Sequence, residues 1–158
     1  NCQKRLIQEL RCMVDASPVG VFASPIDDLN LLKWTGILIG PENTPYSGGK
    51  FRLILNFTTD YPNTPPTVNF ETRIYHCNVN SHGRICLNIL DQDWDPRVSI
   101  TQVLIAVREL LVHPNPSDPL VGSIATELIS APHSHDKTAR RWAQLYADAP
   151  IIQTNELQ

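Results

Sequence analysis

The side chains able to do covalent or metal chemistry crowd into one window, Tyr75-His-Cys-Asn-Val-Asn-Ser-His-Gly-Arg-Ile-Cys-Leu-Asn-Ile-Leu90. Three chemistries compete for it. Cys77-x4-His82-x3-Cys86 offers sulfur and nitrogen donors for zinc. A closed structural zinc site uses four such ligands, usually around a short Cys-x-x-Cys knuckle, and no such knuckle is present. A cysteine hydrolase would combine Cys86 with His76 or His82 and with Asn78. It needs that histidine as base, because a thiol of pKa about 8.5 is only a few per cent thiolate at neutral pH. The third chemistry is acyl carriage, in which a cysteine holds a thioester and yields it to an amine. That acyl group is already activated, so the sulfur needs no strong base. The step needs a donor for the developing oxyanion, which the amide of Asn78 could supply without titrating. It also needs help with the amine, since roughly one lysine in 2,500 is neutral at pH 7.

The rest of the chain narrows the setting. With 158 residues, 42% hydrophobic and 18% charged, it has the profile of one folded domain. Thirteen basic residues stand against sixteen acidic ones, a net charge of −3, which argues against a nucleic-acid grip. No apolar run approaches the roughly 20 residues that span a bilayer. No charged-then-apolar signal segment opens the chain. It starts on Asn1 rather than methionine, so upstream sequence is expected. The four cysteines, Cys2, Cys12, Cys77 and Cys86, read as reduced thiols of the cytoplasm or nucleus.

The elements that must position the window follow from periodicity. Leu6, Ile7, Leu10, Met13 and Val14 recur at helical spacing until Ser17-Pro18. Strands are expected at residues 21–24 and 31–39. A third is marked by the strict alternation of Phe51, Leu53, Leu55 and Phe57, and a fourth falls at residues 67–70. Joined by short Pro/Gly turns, these predict a four-stranded antiparallel meander. Residues 71–98 have no sustained period, as a functional loop would. Ser99 reads as the N-cap of a helix carrying Ile100, Val103, Leu104, Val107, Leu110 and Leu111. Two more helices are expected at 121–129 and 137–147. The order predicts an α+β fold, with a core over residues 1–149 and a short tail over 150–158.

These residues resemble the ubiquitin-conjugating (E2) family over roughly residues 3–148. His76-Cys77-Asn78 is similar to the family's His-Pro-Asn tripeptide, in a His-Cys-Asn form. Gly83-Arg-Ile-Cys86-Leu is similar to its Gly-x-Ile-Cys-Leu segment. Tyr61-Pro62-x-x-Pro65-Pro66 looks like its proline loop. Trp94-x-Pro96 looks like the loop after the active site, and Pro114-Asn-Pro-x-Asp118-Pro-Leu120 like the segment gating it. The resemblance implies the ubiquitin-conjugating fold in its small, catalytic-core class. It implies ubiquitin or a related modifier held as a thioester on Cys86, received from an activating enzyme and passed to lysine beside a RING-type ligase, or to a HECT-type ligase cysteine. Asn78 would stabilise the oxyanion, hold the neighbouring loop, or both. Asp118 would position and deprotonate the lysine, and His76 would brace the loop. Lys4, Arg5, Pro62 and Pro96 would meet the activating enzyme and ligases.

The resemblance further implies a monomer without metal or organic cofactor. ATP would be used by the activating enzyme, and Gly49-Lys50 lacks the remainder of a phosphate loop. A rival reading is a non-catalytic adaptor with the same fold. Departures from the family pattern are Asn88 for the usual aspartate, Asn63 for an aromatic, Arg97 for alanine in an acidic stretch, and Phe22 for a serine that binds ubiquitin on the sheet's back. The last makes back-side binding doubtful.

Overall fold

The computed structural model describes residues 1–151. Of the expected tail, residues 152–158 therefore lie outside the described residues. Helix α1 (Cys2–Ala16) is capped by the Asn1 side chain, which accepts from the Gln3 and Lys4 amides at 3.0 and 3.5 Å. It buries Leu6, Met13 and, between them on the same face, Glu9. Strands β1 (Val21–Asp27), β2 (Asn30–Ile39), β3 (Lys50–Asn56) and β4 (Thr67–Phe70) then form one antiparallel sheet in chain order. This is the expected meander.

Register puts one side of the sheet into the core. The cross-strand row Ala23–Gly36–Leu53–Phe70 is buried throughout. The adjacent row Phe22–Ile37–Arg52 faces outward, with Phe22 exposed. Helix α2 (Ile100–Val112) lies on the buried side. A Cβ on Gly36 would come within 3.0 Å of Leu55 and 3.3 Å of Leu104, so the missing side chain sets how closely helix and sheet approach. A capping box between Ser99 and Gln102 fixes the start of α2, and its buried residues are the six expected from the sequence. Helices α3 (Gly122–Ser130) and α4 (Pro132–Tyr146) pack on each other. Among the described residues no helix is long and apolar enough to cross a membrane.

Two boundaries differ from expectation by more than one residue. β1 runs three residues past Ser24, through Pro25 and an irregularity before Asp27. As an edge strand it tolerates the missing proline N–H. α4 begins at Pro132, five residues before 137. Its inward face is made of His135, Ala139 and Ala143, which carry little apolar signal.

Candidate active site

The aperiodic segment after β4 is held by backbone bonds to its neighbours. Phe70 N–H donates to Gly83 O at 2.8 Å, and Cys86 N–H to Asn78 O at 3.1 Å. Isolated bridges pair Asn69 with Arg84 and Val79 with Ile85. Gly83 has φ +82°, and a Cβ there would lie 2.1 Å from Phe70 O, so only glycine fits this crossing. The segment thus folds back on itself and presents Cys86 beside Asn78.

His76 is the internal brace. It is 1% exposed, with Nε2 2.8 Å from Leu110 O, and Nδ1 accepts from the Asn78 N–H at 3.0 Å. One nitrogen donates and one accepts, which is the neutral imidazole. Burial, ahead of all other influences, lowers its pKa to about 4. Neither nitrogen faces Cys86.

Asn78, also 1% exposed, joins this segment to the one gating it. Its Nδ2 donates to the carbonyls of Asn115 at 2.9 Å and Asp118 at 3.2 Å. Its Oδ1 accepts from the Asn115 N–H at 2.8 Å and the Cys77 thiol at 3.4 Å. Both amide hydrogens and the carbonyl oxygen are therefore engaged. The Cys77 carbonyl adds bonds from the Leu120 and Val121 amides at 2.9 and 3.1 Å. Residues 115–121 are in this way tied down over the window. The result brings Asp118 Oδ2 to 4.0 Å from the half-buried Cys86 Sγ, although 32 residues separate the two. A groove of about 470 Å³ runs from the sulfur past Val68, Asn69, Arg84, Asn88, Asp91 and Leu120.

The competing donor sets are not assembled. Cys77 is buried, its thiol pKa pushed up by burial, while His82 is exposed. Among the described residues no group of three or more His, Cys, Asp or Glu side chains is placed to hold a metal ion. No histidine hydrogen-bonds Cys86 among them, so the hydrolase arrangement is also missing.

The four residues expected to meet partners form a second group around the N-terminal helix. Lys4 and Pro96 are exposed and Pro62 is half-buried. Arg5 is drawn inward, its guanidinium donating to Pro96 O at 2.8 Å and Val98 O at 3.0 Å. Trp94 Nε1 donates to Pro62 O at 3.0 Å and links the two loops, so its first task is packing. Arg97 folds onto Asp95 through two side-chain bonds of 3.0 and 2.8 Å, and these bonds hold the carboxyl at about 2. Glu9, at the centre of this group, was not singled out from the sequence. A charged residue midway between Leu6 and Met13, on the apolar face of α1, was the available signal.

The chain matches the sequence model of the ubiquitin-conjugating enzyme family over residues 5–143. Its structure is similar to the E2 domain of a Toxoplasma gondii ubiquitin conjugating enzyme. The TM-score is 0.86 at 35% identity, covering 92% of this chain and 98% of that one. A helix, a four-stranded meander and closing helices around a cysteine-bearing loop define a conjugating-type transferase. The chain belongs to the ubiquitin-conjugating enzyme family.

The buried imidazole predicts how stability follows pH. The unfolded state, with a histidine pKa of about 6.5, binds a proton that the folded state refuses until about pH 4. The stabilisation is complete above about pH 6.5 and is lost as pH falls toward 4, on the order of 3 kcal/mol for this group. Urea midpoints measured from pH 7 to 4.5 should fall more steeply for the wild type than for His76→Gln. Parallel curves would place the acid sensitivity elsewhere.

Proposed function

We propose that Cys86 carries the C-terminal acyl group of ubiquitin as a thioester and delivers it to lysine. One observation carries this reading: a half-buried thiol on a groove, 4.0 Å from a carboxylate and free of a histidine partner. That environment suits a sulfur that holds an acyl group, since no histidine stands by to activate water against it as in a cysteine hydrolase. The family membership and the relative's description as a ubiquitin conjugating enzyme support the choice of modifier.

In the transfer, the lysine nitrogen attacks the thioester carbonyl and forms a C–N bond. The C–S bond breaks, the electron pair returns to Cys86 as thiolate, and the amine proton passes to Asp118 or solvent. Asp118 serves by holding the lysine over the groove and accepting its proton as the C–N bond forms. Asn78 has both N–H groups committed to Asn115 and Asp118. It supplies an oxyanion bond by exchanging one of those carbonyls for the developing charge, and otherwise holds the gate.

The acyl group arrives already activated, from an activating enzyme that uses ATP, so the chain works without a cofactor of its own. It acts as a cytoplasmic or nuclear monomer, alongside RING-type ligases or upstream of a HECT-type ligase cysteine. Lys4, Pro62 and Pro96 contribute to those contacts, and Arg5 supports the surface they share. Nucleic acid and membranes are not partners in this scheme.

Single-turnover discharge of the charged enzyme to free lysine tests the role of Asp118. Asp118→Asn should slow discharge by about 10²-fold at pH 7 and charging very little. The deficit should shrink toward pH 9, where more lysine is already neutral. An unchanged discharge rate would remove Asp118 from the reaction.

A further inference from the structure

Glu9 has no part in the proposed chemistry, yet it is a buried carboxylate, 8% exposed, where four elements meet. Its Oε1 accepts from the Ile100 N–H at 2.6 Å, capping the first turn of α2. Its Oε2 accepts from the Tyr61 hydroxyl, which anchors the proline loop. The same oxygen lies 3.3 Å from Arg5 Nε. Arg5 in turn sits over the Tyr61 ring at 5.6 Å, while its other nitrogens hold the carbonyls of Pro96 and Val98. Trp94 closes the circuit, reaching Pro62 O with its indole N–H and packing 6.1 Å from the Tyr61 ring. One carboxylate thus satisfies a helix end, a phenol and a guanidinium, each of which secures a different segment.

We propose that Glu9 is a positioning residue that locks the loops at residues 61–66 and 94–98 onto α1 as one rigid platform, independent of the Cys86 segment. The connections support this division. Loop 61–66 reaches Glu9 through Tyr61, and loop 94–98 reaches it through Arg5. The Cys86 segment is braced separately, by His76 on Leu110 and Asn78 on Asn115 and Asp118. Charge-assisted bonds of this kind are stronger than neutral ones, and here they add to the packing of Tyr61, Trp94 and Val98 on the core. Lys4, Pro62 and Pro96 all ride on this platform. The use of the platform for partners rests on the proposed function. Its rigidity does not, and is tested without modifier, activating enzyme or ligase.

The test is amide hydrogen exchange of the free protein. The Tyr61, Asn63, Trp94 and Val98 amides are each held in local turns, by Thr58, Asp60, Asp91 and Asp95 carbonyls, and report on the two loops. In Glu9→Ala, exchange should accelerate by about tenfold or more in both loops together. The β2 amides and the rate of Cys86 alkylation by iodoacetamide should stay at wild-type values. Tyr61→Phe removes only the hydroxyl branch, and should accelerate residues 61–66 by about threefold while leaving 94–98 unchanged. If Glu9→Ala does not fold, Tyr61→Phe decides alone. Acceleration confined to the first turn of α2, spread equally over the chain, or absent from residues 61–66 in Tyr61→Phe overturns the proposal.

Discussion

Cys86→Ser is expected to trap the modifier rather than lose it. A serine oxygen at the same place accepts the acyl group slowly as an oxyester, which survives thiol reductants and neutral hydroxylamine far longer than the thioester does. Transfer onward to lysine should fall by more than about a thousandfold, the scale expected when a reacting atom is replaced rather than a supporting group. The geometry explains why the adduct still forms. Serine is nearly isosteric with cysteine, the Cys86 N–H to Asn78 O bond belongs to the backbone, and Asp118 already faces the side chain. A reductant-sensitive adduct on Cys86→Ser would mean that another thiol carries the acyl group. Cys12 is the exposed alternative on α1, and Cys77 is buried.

The second large effect is expected at Asn78. Asn78→Ala removes the side chain that bonds Asn115 N, Asn115 O and Asp118 O, so the gating segment loses its tie to the window. A cost of about 1–3 kcal/mol in stability follows from the polar groups left behind. Loss of an oxyanion donor adds about 10²-fold or more to the slowing of discharge. Charging by the activating enzyme should be slowed much less, because that enzyme can supply its own groups around the incoming acyl carbonyl. Asn78→Asp sharpens the comparison: it keeps the acceptor for Asn115 N–H and loses both donors. Rates of charging and of discharge to lysine, measured in one protein preparation, check this. Equal slowing of the two would make the amide a brace and nothing more.

The parts of this molecule with a regular period were legible in the chain. Phe51, Leu53, Leu55 and Phe57 announce a half-buried strand. Ile100 through Leu111 announce a helix against it, and the Ser99–Gln102 box marks its start. Where burial is carried by residues that do not read as apolar, the pattern failed. His135, Ala139 and Ala143 hid the first turn of α4, and Pro25 concealed the second half of β1. At the site, the motif around Cys86 and Asn78 stood out because its residues are close in sequence. Asp118 was placed at the site only by the likeness of its segment to the family's gating segment; periodicity and spacing say nothing of its approach, which depends on the fully used hydrogen-bonding capacity of one buried amide. Glu9 escaped for a related reason. A carboxylate on an apolar helix face looks like an exception until the phenol, guanidinium and helix end that surround it are in place.

The most direct measurement is the intact mass of the wild-type chain after incubation with ATP, ubiquitin and its activating enzyme, with related modifiers and their own activating enzymes run in parallel. One modifier should add to the chain, on a tryptic peptide containing Cys86, and reductant should remove it completely. A chain that stays at its own mass with every modifier, or whose adduct maps away from Cys86, would contradict the acyl-carrier mechanism at its root.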